Sequence, residues 1–193
     1  MYRSVLPLPH PSCREQEWPL GRNLDRVVKE APCDLVILKT RRLNKNIENI
    51  LVISGGYFET RKALLLALPM AKEYGAKIEI LSVVTDDRTI ELVRGNAERL
   101  SKMCDRVKVP HELKYMHSRS LVSAVIEQSK SYDILVMGSG PQSALERTMF
   151  GAVYDRIIRS VDVPVLVLKT ARGDRPQVQI PSGQSRPRVP GLD

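Results

Sequence analysis

The sequence predicts a doubly wound α/β domain, a parallel sheet with helices on both faces, over residues 47–170. Two observations carry this. Short β-branched apolar runs alternate with longer stretches of helical period, and connections this short imply right-handed crossovers between parallel strands. The runs also lack an inside/outside alternation, as strands covered on both faces do. A third observation concerns the start of the chain. GRNLDRVVKEAPCDLVILKT (21–40) aligns with GAVYDRIIRSVDVPVLVLKT (151–170) at a constant offset of 130, with six identities and six conservative exchanges.

The elements follow in order. NILVIS (49–54) is a compact apolar strand closed by Gly55-Gly56. FETRKALLLALPMAKEYG (58–75) sets Leu64, Ala67, Leu68 and Ala71 at helical spacing and stops at Gly75, with a kink expected at Pro69. KIEILSVV (77–84) is the second strand. A helix over 86–107 opens on Asp86-Asp87, which suit the positive end of a helix, and carries Ile90, Val93, Ala97, Leu100 and Cys104 on one face. HELKYMHS (111–118) alternates more and reads as the edge strand. Then come a helix at 120–131, a strand at 133–140 ending in glycines, a helix at 148–160 and the strand PVLVLK at 164–169.

Composition bounds the rest. The 193 residues, 42% hydrophobic and 27% charged, suit one globular domain with tails. Residues 1–20 hold four prolines and residues 171–193 four prolines and three glycines without periodicity, so both are expected to be disordered. No uncharged apolar run reaches the ~18 residues of a membrane span, and the leader lacks a signal-peptide core. Three cysteines without a CxxC favour reduced thiols and a cytoplasmic setting. The net charge of +8 is spread along the chain, with only nine aromatic residues, which argues against a dedicated nucleic-acid surface.

Four stretches, ILVISGG, AKIEILSVV, YDILVMGSG and FGAVYDRIIRSVDVPVLVLK, occur in an order and spacing that resemble the universal stress protein family. The resemblance implies a five-stranded parallel sheet in the order 3-2-1-4-5, of the adenine-nucleotide α-hydrolase-like type, and a dimer joined through last strands. Many such proteins bind adenine nucleotide, so ATP is the implied ligand. In that strand order the winding reverses between strands 1 and 4, leaving a crevice at their carboxyl ends. The expected site is Ser54, Gly55, Gly56, Val83, Met137, Gly138, Ser139, Gly140, Gly151, Ala152 and Val153, with Val83 lying against the base. Glycines here let backbone N–H groups approach a phosphate, although each also permits a tight turn.

The loop is degenerate. The family's nucleotide binders resemble a pattern G-x-x-G, nine residues, G-[S/T]; Gly138 and Gly151 match, whereas Pro141 and Ala152 stand where glycine and a hydroxyl are expected. Gly55 stands where those binders often carry Asp. Losing two donors to a charged phosphate, at roughly 1.5–3 kcal/mol each, weakens binding about a hundredfold or more.

Other chemistry has little support. There is no GxxxxGK[ST] loop and no HExxH helix. His111 and His117, six residues apart on one strand, are about 20 Å apart and read as edge residues. Ser139 has no His or Asp at a motif spacing, so no enzyme activity beyond a trace ATPase is expected, and the RGD at 172–174 reads as chance. Two functions remain in view. One is a stress-type regulatory protein holding a small ligand; the other is a cytosolic regulatory module derived from a membrane transporter or channel, acting by protein contact.

Residues 21–46 resemble the last helix and strand of a first repeat, joined to the complete copy at 47–170. Such a remnant cannot bury its own apolar residues, so Val27, Val28, Leu35, Val36, Ile37 and Leu38 are expected to find cover. The family resemblance implies where: as last strands meet in its dimers, strand 34–39 is expected to pair antiparallel with strand 164–169, on the edge that a homodimer partner would use.

Overall fold

The structure, a computed structural model, describes residues 27–28, 30–40, 46–54, 58–85, 87, 90–139 and 152–171. The strands are β1 (Leu35–Lys39), β2 (Asn49–Ile53), β3 (Lys77–Val84), β4 (His111–His117), β5 (Ile134–Gly138) and β6 (Val165–Lys169). The helices are α1 (Phe58–Tyr74), α2 (Ile90–Val107), α3 (Leu121–Ser129) and α4 (Ala152–Ser160). A short helical stretch around Val28 precedes β1. Sheet order is β1-β6-β5-β2-β3-β4. The sheet thus has six strands rather than five. Without β1 the order is the expected 3-2-1-4-5, and all pairs inside that block are parallel.

The sixth strand adds to the edge antiparallel, with Leu35 opposite Lys169, Ile37 opposite Val167 and Lys39 opposite Val165. Alternating side chains split the core into two clusters, one on each face. Ile50, Val52, Ile78, Ile80, Ile134 and Val136 lie in the cluster with α1 and α2. Leu51, Ile53, Leu81, Leu135 and Met137 lie in the cluster with α3, α4 and Val28. Each central strand is therefore apolar throughout because each face meets helices.

The expectation that every apolar residue of the early segment finds cover is corrected. Val28 is 1% exposed, but Val27, Val36 and Leu38 are 53%, 51% and 48% exposed. In β1 the apolar residues that point to the covered face are Leu35 and Ile37, which pack beside the α3/α4 cluster.

Local sequence explains the element ends. α1 closes where Gly75 adopts φ +66 and the Ala76 N–H donates to the Ala71 carbonyl at 2.8 Å, a Schellman closure. α2 closes the same way at Lys108 (φ 57), with the Val109 N–H donating to the Cys104 carbonyl. α1 continues through Pro69; Pro69 is exposed, so the Leu65 carbonyl it leaves without an N–H faces water. Ser120 caps α3, its Oγ accepting from the Ser123 N–H at 3.2 Å.

α2 runs from Ile90, and residues 86, 88 and 89 of its expected start lie outside the described residues; Asp87, ahead of it, has a carboxylate oxygen 3.6 Å from Nδ1 of His117. β4 is the edge strand, as expected, and carries ion pairs with its neighbour, Lys77 to Glu112 at 2.6 Å and Lys114 to Glu79 at 3.2 Å. Such charges discourage edge-to-edge association. The leader 1–20, the tail beyond Ala171 and residues 148–151 of the expected last helix lie outside the described residues.

Candidate functional site

The strands around the sheet centre part where the switch point was expected. β2 and β5 pair from Ile50/Ile134 to Val52/Val136 and no further. Beyond that point β2 stays with β3, through Ile53 opposite Leu81 and the Ser54 N–H donating to the Leu81 carbonyl at 2.8 Å. β5 stays with β6, through Gly138 opposite Leu168 and the Ser139 N–H donating to the Leu168 carbonyl at 2.7 Å. The pairing of β2 and β5 therefore stops short of their carboxyl ends, at the switch point where a doubly wound sheet places its crevice.

Ser54 and Ser139 sit on the two lips of this crevice. They are 8% and 1% exposed, and neither Oγ has a hydrogen-bond partner among the described residues. A buried polar group left without a partner costs about 1–3 kcal/mol. The Ser82 hydroxyl, one strand farther out, is also buried without a partner. Three orphaned hydroxyls toward the carboxyl ends of neighbouring strands are unusual for a domain interior.

The other expected residues separate into groups. Met137 is fully buried, and Val83, half-buried, packs beside the same cluster on the α3/α4 side. Gly138 has a structural task of its own. A Cβ there would lie 2.4 Å from the Glu59 carbonyl carbon and 2.6 Å from both the Glu59 oxygen and the Thr60 nitrogen, so its lack of a side chain lets the first turn of α1 settle on β5. Ala152 begins α4, and Val153, in the same turn, is 40% exposed. Gly55, Gly56, Gly140 and Gly151 lie outside the described residues, as does Pro141.

Sequence reasoning missed Glu59 and Thr170, which are 5% and 2% exposed beside Gly138. The Thr170 hydroxyl donates to Glu59 Oε1 at 3.3 Å. An acid in the first turn of a helix is favoured by the helix dipole, and that was the one available signal; its burial follows from the close approach at Gly138. A further open cleft of about 500 Å³ lies over the ends of β3 and β4, lined by Val84, Thr85, Asp87, His117, Ser118 and Arg119. It was not anticipated, because His117 read as a simple edge residue.

Among the described residues no helix is long and apolar enough to cross a membrane, and no three His, Cys, Asp or Glu side chains are grouped to hold a metal ion.

Comparison with known proteins places these features. The sequence profile described as "Universal stress protein family" matches residues 46–169. The chain is 27% identical over 159 residues to universal stress protein MJ0531 of Methanocaldococcus jannaschii, covering 70% of this chain and 94% of that one. Among solved structures it is similar in fold to a universal stress protein in complex with cAMP (TM-score 0.56, 19% identity), covering 65% of this chain and 99% of that one. It is also similar to a universal stress protein from Archaeoglobus fulgidus (TM-score 0.61, 18% identity), covering 78% of this chain but 54% of that longer one. The matched profile spans most of the chain and every strand of the parallel block, and the chain belongs to the universal stress protein family.

Proposed function

We propose that the chain is a regulatory ligand-binding module whose β2/β5 crevice takes an adenine nucleotide weakly. The observation that carries this is the pair of buried, unpartnered hydroxyls, Ser54 and Ser139, on the two lips of a parted sheet. A ribose or phosphate oxygen seated there would accept from them and remove a cost that the free protein bears. Half-buried Val83, packed beside the cluster that holds Met137, supplies apolar surface on one side of the opening, and the cAMP complex of a structural neighbour supports the choice of an adenine nucleotide. Pro141 and Ala152 withdraw two donors, so the affinity is low and the module responds to a ligand that is abundant.

Binding, not turnover, is the role these groups suit. A serine nucleophile needs an adjacent base, and among the described residues the Ser139 hydroxyl has no hydrogen-bond partner. Titrating the full chain with ATP in a calorimeter tests the reading. Saturable heat at submillimolar to millimolar ligand is expected, and no heat at millimolar ATP would end it.

We further propose that residues 21–46 are the end of a first repeat, so that β1 stands where a second domain's last strand would lie. The antiparallel pairing of β1 with β6 supports this. So does the widening of the structural match against longer relatives, from 65% of this chain to 78% and, for a Pseudomonas aeruginosa protein, 84%.

A further inference from the structure

The internal repeat is obeyed on one face of the sheet and broken on the other. Residues 35–40 and 165–170 are equivalent at the offset of 130, and Ile37 and Val167, equivalent to each other, also stand opposite each other. A local twofold axis therefore passes between them. The surroundings follow it. Lys39 Nζ donates to the Ile158 carbonyl, and its equivalent Lys169 donates to the carbonyl of Val28, the equivalent of Ile158. Both Ile158 and Val28 are buried in the cluster on the α3/α4 face, so there both halves of the repeat are filled.

On the α1 face one half is bare. Leu166, Leu168 and Thr170 are 8%, 4% and 2% exposed, the two leucines in one cluster with Ala63, Leu64 and Ala67 of α1. Their equivalents are uncovered: Val36 and Leu38 are 51% and 48% exposed, and Thr40 is exposed as well. The patch continues onto the flank of α1. Lys62 pairs with Asp34, just ahead of β1, at 2.8 Å, and Leu65, three residues on, is 53% exposed.

We propose that this face of β1 is a docking site for an amphipathic helix of another polypeptide, seated where the twofold axis places a counterpart of α1. Its character follows from the filled half. Small side chains stand at the buried stripe, as Ala63 and Ala67 do, and an acid in the first turn lies within reach of Thr40, as Glu59 lies from Thr170. A second copy of this chain cannot supply the helix from its own α1, because Ala63, Leu64 and Ala67 are fully buried against their own sheet. The proposal stands on register and burial and is independent of ligand binding in the crevice.

The test uses a fluorescently labelled peptide of residues 58–74, FETRKALLLALPMAKEY, titrated with the full chain while its anisotropy is followed. Saturable binding is expected, weakened about tenfold or more by Leu38→Lys and less severely by Val36→Thr, and untouched by Leu92→Lys on α2, where Leu92 is 66% exposed. Cooperative melting shows which variants are folded. Val36→Thr keeps a β-branched side chain and carries the test should Leu38→Lys not fold. Absence of saturable binding, or binding equal in both β1 variants and the parent, overturns the proposal. So does a dimer of the full chain that dissociates on Leu38→Lys, which would put a second copy on this face.

Discussion

Replacing Gly138 by alanine tests whether the crevice wall is built by the close approach of α1 to β5. The added Cβ would fall 2.4 Å from the Glu59 carbonyl carbon and 2.6 Å from the Glu59 oxygen and the Thr60 nitrogen. Comfortable carbon contacts lie near 3.5–4.0 Å, so a gap of more than about 1 Å must open. All three atoms belong to helix backbone, and no side-chain rotation can relieve the clash. The cost should sit at the upper end of the ~1–3 kcal/mol typical of overpacking, and ~3 kcal/mol corresponds to a Tm lowered by roughly 6–12 °C in a chain of this size. Gly95→Ala is the internal control, because no atom lies within 4 Å of its Cβ and it sits inside α2; there alanine should gain about 0.5–1 kcal/mol. Urea and thermal unfolding followed by circular dichroism measure both. A Gly138→Ala protein within ~0.5 kcal/mol of the parent, or one more stable than Gly95→Ala, would refute the packing account.

Three other outcomes are expected. Deleting residues 1–46 strips β1 from β6 and should drive dimerisation or aggregation through the exposed edge; sedimentation showing a monomer of unchanged stability would contradict the edge assignment. Cys104, buried and with its thiol pushed up to about 11 by desolvation and then by Asp105, should resist a thiol reagent at pH 8 until the chain unfolds, whereas exposed Cys33 reacts at once; labelling followed by peptide mass mapping distinguishes the two. Asp34 is held below its ordinary value of 3.8 by the hydrogen bond from Lys62 and then by that from the Ala171 N–H. A depressed carboxyl stabilises the fold fully above its ordinary pKa and ceases to as pH falls through the lowered native value. Both partners are partly exposed, so Asp34→Asn should cost at most about 1 kcal/mol at pH 7, with the difference in urea titrations vanishing as the pH falls below the lowered native pKa.

Much of the architecture was readable because it rests on periodicity. KIEILSVV has the bounds of β3 as expected, and the repeat, together with the family resemblance, predicted that β1 meets β6 antiparallel. What the sequence hid depends on tertiary neighbours. Asp87 read only as a helix opener, and its closeness to His117 on β4, at 3.6 Å, had no trace in the pattern. Glu59 carried no sign of burial in the sequence; it is buried because Gly138 lets α1 sink. Val36 and Leu38 were grouped with Leu35 and Ile37 as residues needing cover, whereas a strand has two faces and the neighbouring helical stretch fills one. At the site, Ser54 and Ser139 were named from their place after glycine-rich strands. That their hydroxyls are left unpartnered follows from the parting of β2 and β5 beyond Val52 and Val136, which pattern alone does not encode.

The account treats the crevice as a nucleotide site weakened at two positions, and restoring those positions tests it most directly. In the double variant Pro141→Gly, Ala152→Ser, two donors return at roughly 1.5–3 kcal/mol each. Calorimetric titration with ATP should then show affinity about a hundredfold or more above that of the parent chain. A folded double variant that binds ATP no better than the parent would contradict the assignment of the site.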